Sequence, residues 1–411
     1  MKRTFILAAV AAMFLSLGAK AQDKPAQIKW YGFVRNYLSF DTRVSTAGTE
    51  DFFYYLPYDE SINENGDDVN KQNSMSYAAL TSRLGVDVTG YEVQGWKIGA
   101  KIETDFYSGV SGVTGTATLR LRQAFITLAK NDVALKLGQA WHPMAADIPD
   151  VYSLNTGAPF GPFSRTPLAT FTYNFDSKFS LDFSAIWQMQ YTSNGPEGSS
   201  ANYIKYSCVP ELYLGLNYKS DKFLARVGLD MLSIKPRRVD DDGSKVDDRL
   251  TTLSPFIYIQ YVSGLFSLKA KSIYASAGEH LNLNGGYGIS KVNSDGSYEY
   301  AATHNSSSWL QLRYGKKFVG NLFLGYVKNF GTNEEVQNLY FSKNSFSNMN
   351  QMYRIAPSIG YNLGKFTVSL EYELTSVQYG DADGELKDGL YKDDLHWVTN
   401  NRLLVMTKFA F

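Results

Sequence analysis

The sequence predicts an all-β fold, a transmembrane antiparallel up-and-down β-barrel of about 16 strands. Three observations predict it. Segments with a two-residue hydrophobic period recur from Ile28 to the last residue, Phe411; this is the pattern of strands with one apolar and one polar face. Short turns alternate with long polar loops along the whole chain, so successive hairpins gather the turns at one end and the loops at the other. The final stretch, HWVTNNRLLVMTKFAF, ends on an aromatic with no polar tail. Left open, such a strand invites aggregation, and pairing with the first strand removes the edge.

The elements follow in order. Met1-Lys2-Arg3, an apolar run from Phe5 to Leu17, and Ala19-Lys20-Ala21 predict a signal peptide over residues 1–21, cleaved before Gln22. The run is shorter than the about 20 apolar residues of a spanning helix, and no Cys follows the cleavage site to carry a lipid. Residues 22–411 then form a single barrel domain. Strands are expected near 28–41, 75–89, 96–106, 116–129 and 133–141, with a polar stretch over 42–73 centred on Asn63-Glu64-Asn65-Gly66-Asp67-Asp68. The spacing of Leu119, Gln123, Ile126 and Ala129 is also compatible with a helix, but the alternating start Leu119, Leu121 against Arg120, Arg122 favours a strand. From Pro143 to Pro167 the alternation stops; Pro149, Pro159 and Pro162 and two glycines crowd this segment, a density that no central strand accepts. A stretch this long without its own regular structure is often functional. Strands resume near 168–175, 179–190, 209–218, 223–234, 250–262, 266–277, 307–316, 322–330, 352–363 and 366–379, before the closing strand. Each is expected to be long enough to cross a bilayer at a tilt, which takes about 9–11 residues.

Composition narrows the class. Lys and Arg number 40 and Asp and Glu 40; losing Lys2, Arg3 and Lys20 with the signal peptide leaves the mature chain mildly acidic, which excludes a basic nucleic-acid binder. A single cysteine, Cys208, excludes an internal disulfide and reads as a wall residue. Mean hydropathy is −0.25, as expected when only alternate residues meet lipid.

A closed sheet satisfies every backbone amide in lipid, and about 16 strands leave an aqueous lumen. A charge on the lipid face at the bilayer midplane costs about 2–4 kcal/mol, so mid-strand charges are expected to face inward. The basic ones are Arg83, Lys97, Lys101, Arg120, Arg122, Lys136, Arg226, Lys269, Lys271, Arg313, Arg354, Arg402 and Lys408. The acidic ones are Asp87, Glu103, Asp105, Asp182, Asp230, Glu371 and Glu373. Positive walls favour anions; the alternative is that these charges pair and hydrate the wall without selecting.

The terminal Phe411 strand resembles the closing strand of Gram-negative outer-membrane barrels. Gly138-Gln139-Ala140-Trp141, the Gly/Pro-rich segment, and Arg165-Thr166-Pro167 resemble the pattern of phosphate-selective and DcaP-like porins, and the segment's place as the third long loop resembles the constriction loop of trimeric general porins. The resemblance implies several things. The third external loop would fold into the lumen. Asp147 and Asp150 on it would face Arg120 and Arg122 across the narrowest point. The chain would form a homotrimer in the outer membrane, in contact with lipid and lipopolysaccharide, and would be inserted by the barrel-assembly machinery through the strand ending at Phe411. The implied function is passive diffusion of small hydrophilic solutes and ions with anion preference. The alternatives are a substrate-specific channel for sugars, carboxylates or phosphate, and an adhesion or structural barrel with an occluded pore.

No enzyme motif appears. The histidines, His142, His280, His304 and His396, make no H-x-x-x-H or H-E-x-x-H spacing, so no metal site is expected. There is no G-x-S-x-G nucleophile elbow. No cofactor is expected. A plug-bearing active transporter is not expected either, since no plug-sized segment precedes Ile28.

Overall fold

The computed structural model describes residues 24–110, 113–240, 242–341 and 347–411. The expected signal peptide lies outside them. The wall strands are β1 (Gln27–Asp41), β2 (Ser74–Ala78 and Arg83–Val93), β3 (Trp96–Val110), β4 (Val113–Lys130), β5 (Val133–Trp141), β6 (Arg165–Asn174), β7 (Phe179–Ile186) and β8 (Glu211–Lys219). They continue with β9 (Phe223–Ile234), β10 (Leu250–Ser263), β11 (Phe266–Ser276), β12 (His304–Gly315), β13 (Phe318–Gly331), β14 (Met349–Leu363), β15 (Phe366–Tyr379) and β16 (His396–Ala410). Each pairs antiparallel with its neighbours in sequence order. The barrel closes where β1 meets β16, from Phe33↔Ala410 to Asp41↔Arg402. The terminal aromatic seals the seam: the Phe411 N–H donates to Gly32 O at 3.0 Å.

The two-residue period becomes the two faces of the wall. On β1, Ile28, Trp30, Val34, Leu38 and Phe40 are exposed on the outside, while Tyr37, Ser39 and Asp41 are buried inside. The same split holds on β9, where Val227 and Leu229 are exposed and Asp230 is buried. An apolar belt of this extent is stable only against lipid. Exposed Phe175, Phe179, Tyr314, Phe318 and Phe409 stand beside the short turns, as the aromatic ring at one bilayer interface. A hollow of about 410 Å³ beside Ile257, Ile259, Leu310 and Leu324 belongs to this apolar outer surface.

Several elements differ from the sequence reading. The second strand breaks at residues 79–82, where Thr81 takes φ 67°, a conformation no strand residue holds. Both pieces still pair with β1. Residues 113–130 form a strand, and the helix-like spacing within it comes from a β-bulge: the register shifts opposite Glu103 and Thr104, and the consecutive side chains Arg122 and Gln123 both reach Glu103. The bulge flips the phase, so Leu119 and Leu121 before it and Ile126 after it all stay outside. β7 ends at Ile186, short of the expected residue 190. Cys208 is not a wall residue; it caps the short helix α1 (Asn202–Ser207) and is exposed.

The polar stretch 42–73 is not simply an external loop. It contains a hairpin, Ser45–Gly48 paired with Phe53–Pro57, whose Phe52, Tyr54, Tyr55 and Leu56 are at most 2% exposed. The hairpin sits inside the barrel: Arg402 of β16 donates to Asp51 O at 2.8 Å, Tyr379 of β15 to Pro57 O at 2.7 Å, and Tyr55 to Asn282 O at 2.7 Å.

Candidate functional site in the barrel interior

Residues 142–164 leave β5 and return at β6, with the base closed by the His142 N–H bonded to Ser164 O at 3.0 Å. Between these ends the segment touches inward-facing groups of the wall far from its own strands. Arg226 of β9 binds Asp147 at 2.8 Å, and Lys269 of β11 binds Asp150 at 2.9 Å. Lys271 of β11 donates to Met144 O at 2.7 Å, and Arg354 of β14 to Ala158 O at 3.1 Å. On β15, Glu371 accepts the backbone N–H groups of Tyr152 and Ser153 at 2.7 and 2.9 Å, and Glu373 accepts from Asn155 at 3.0 Å. Tyr37 of β1 donates to Tyr152 O at 3.1 Å. The segment therefore crosses the interior. Its apolar side chains complete the packing, with Phe160 fully buried against Phe323.

Opposite the segment lies a cluster of four arginines. Arg120 makes a bidentate pair with Asp105, both bonds at 3.0 Å. Arg122 binds Glu103 at 2.7 Å and Asp105 at 2.6 Å, and Arg83 stands 3.4 Å from Glu103. Arg35 is bound to the Thr81 hydroxyl at 2.6 Å and stacked against Phe33 and Tyr37. Three guanidinium groups thus share two carboxylates, and the fourth, Arg35, has none among the described residues. They border a cavity of about 390 Å³ whose other side is formed by Ile148 to Val151, Leu154 and Phe163 of the crossing segment and by Thr49 and Tyr55 of the hairpin.

The expected site residues separate into three groups. Arg83, Arg120 and Arg122 border the cavity with Asp150. Arg226, Arg354, Glu371 and Glu373 face inward but are engaged in holding the crossing segment; Arg354 is 1% exposed and also donates to Tyr55 O. The remainder lie apart: Lys101 pairs with Asp87 at 3.0 Å, Lys97 and Lys136 are exposed, and Arg313 is half-buried. Two expectations need correction. Of the two aspartates expected to face Arg120 and Arg122, Asp150 borders the cavity with them while Asp147 does not; both are held by other wall cations, Asp147 by Arg226 and Asp150 by Lys269. Arg165 does not line the cavity; it is 1% exposed and its guanidinium stacks on Trp141 and Phe163. Arg35 was missed, although it shares the inward phase of Tyr37 and Asp41. The hairpin was missed too, and its signal is the apolar run Phe52-Phe53-Tyr54-Tyr55-Leu56 inside a polar stretch.

A family model described as DcaP outer membrane protein matches residues 18–177, which span β1 to β6 and the crossing segment. The chain has the closed 16-strand barrel fold of the outer-membrane porins. The outer membrane channel DcaP of Acinetobacter baumannii superimposes on the barrel with a TM-score of 0.68 at 18% identity, covering 96% of this chain and 99% of that one. The anion-selective porin from Comamonas acidovorans does so at 0.55 and 14% identity, over 94% and 100%. The outer membrane protein OmpT of Vibrio cholerae, in a trimer form, does so at 0.53 and 12% identity, over 94% and 99%. No curated protein matches the sequence.

Proposed function

We propose that the barrel conducts small hydrophilic solutes and ions by passive diffusion and prefers anions. The observation that carries this is the uneven charge of the interior cavity, where Arg35, Arg83, Arg120 and Arg122 face only Glu103 and Asp105 as paired partners. Positive side chains ringing a narrow path attract anions and repel cations. The crossing segment sets the width, and its aspartates, already neutralised by Arg226 and Lys269, leave the excess positive charge on the opposite wall. The fold is shared with an anion-selective porin and with a porin-type barrel described as a trimer, which supports the anion preference and a homotrimer in the membrane. The test is single-channel conductance in a planar bilayer with the reversal potential under a salt gradient. Steady ohmic steps with a reversal potential on the anion side are expected. A cation-side potential from folded, inserted protein would overturn the selectivity.

A further inference from the structure

Two histidines that lie far apart in sequence meet two carboxylates near the loop end of the wall. His142 is the first residue after β5, Glu211 opens β8, Asp230 lies near the end of β9, and His280 sits in the 3-10 turn Gly278–Leu281. Each is at most 2% exposed. His142, Glu211 and Asp230 offer ligand atoms within 4.8 Å of one another, and His280 Nε2 is 3.3 Å from Glu211 Oε1 and 3.9 Å from Asp230 Oδ2.

The hydrogen bonds around the cluster assign its roles. His280 Nδ1 lies 3.0 Å from Ala277 O and so donates a ring hydrogen there, and its Nε2 faces the carboxylates. That nitrogen and Asp230 Oδ1 have no hydrogen-bond partner among the described residues. The Met144 N–H donates to His142 Nδ1 at 3.2 Å, so the His142 hydrogen sits on Nε2 and is donated to Glu211 at 2.7 Å. With neutral imidazoles the two buried carboxylates would carry two negative charges, and among the described residues no Lys or Arg pairs with either. Such charges are buried only when paired or bound to a metal. Two ligand atoms on one tetrahedral ion, each about 2.1 Å from it, lie about 3.4 Å apart, close to the spacings seen at His280.

We propose that His280, Glu211 and Asp230 bind one divalent transition-metal ion, with Zn²⁺ the best match to a mixed imidazole and carboxylate set, and that His142 holds Glu211 in place through its Nε2–H. The ion's two positive charges balance the two carboxylates. It ties the turn at His280 to β8 and β9, and through His142 to the root of the crossing segment. His280 and His142 each bond a further group through the second ring nitrogen or to the ligand carboxylate, the arrangement that orients metal ligands.

The test strips the folded, detergent-solubilised full-length mature barrel with a chelator, dialyses it against Zn²⁺, and measures bound zinc by mass spectrometry and affinity by calorimetry. About one zinc per chain is expected. H280N and D230N should each abolish stoichiometric binding, and H142Q should weaken it about 10–100-fold, as loss of an outer hydrogen bond does. Heat-modifiable gel migration verifies that each variant is a closed barrel. Folded wild type that takes up no zinc, or a folded H280N/D230N double variant that binds as tightly as wild type, overturns the proposal. The result is independent of ion selectivity.

Discussion

Glu371 of the wall accepts the backbone N–H of Tyr152 at 2.7 Å and that of Ser153 at 2.9 Å. A side chain of the second-last strand thus grips a loop that begins ten strands earlier. Hydrogen bonds of this kind contribute about 0.5–1.5 kcal/mol each, so Glu371→Ala is expected to free the middle of the crossing segment while leaving the wall ladder intact. Limited proteolysis of the folded barrel should then cut near Tyr152, and single-channel current should become noisier. Unchanged protection would show that the other anchors suffice.

Gly32 is required by close approach. A Cβ built there lies 2.5 Å from Arg83 O and 2.6 Å from the Phe411 ring. Overpacking of this kind typically costs about 1–3 kcal/mol, and here it falls on the seam between the first and last strands. Gly32→Val is expected to lower the melting temperature and the fraction of heat-modifiable barrel, more than the same change at Gly320, where a Cβ meets nothing within 4 Å.

Arg35 offers the cleanest test of selectivity. Arg120 and Arg122 are tied to Asp105 and Glu103, and removing them strands buried carboxylates. Arg35 has no carboxylate partner among the described residues, and it borders the cavity. Arg35→Glu replaces one positive charge by a negative one and should move the reversal potential toward cations, with folding unaffected by gel migration. A potential equal to that of the wild type would remove Arg35 from the ion path.

Phe160 anchors the far end of the crossing segment. It is fully buried, its ring stands over Gly325, and its centroid is 6.0 Å from that of Phe323. Truncating a buried Phe costs about 3–5 kcal/mol. Because the barrel ladder does not depend on it, Phe160→Ala should loosen the segment and raise single-channel conductance. A drop in melting temperature with unchanged conductance would place Phe160 in stability alone.

Much of the wall was legible because its physics is local. Alternation along a strand needs only neighbouring residues, and lipid on one side with water on the other makes that alternation strong. Strands at 223–234 and 366–379 fall where the period places them. The bulge at Arg122 blurred the pattern because one extra residue reverses the phase, and the break at Thr81 left no mark since its residues keep strand-like composition.

The interior was less legible. Inward charges were recognisable as inward, yet their partners were not: Asp147 finds Arg226 and Asp150 finds Lys269 because a loop can meet any strand across a lumen. The hairpin over residues 45–57 and the meeting of His142 with His280 are of the same kind.

By itself the sequence determined the barrel, its strand number and hairpin layout, and which residues face lipid. It did so because backbone satisfaction in a membrane leaves one solution for a chain of amphipathic strands. Only the tertiary structure decided which loops turn inward, which arginines remain available on the cavity wall, and which buried carboxylates meet histidines. Those outcomes depend on closure of the sheet, which brings together side chains hundreds of residues apart and makes each choose among several partners.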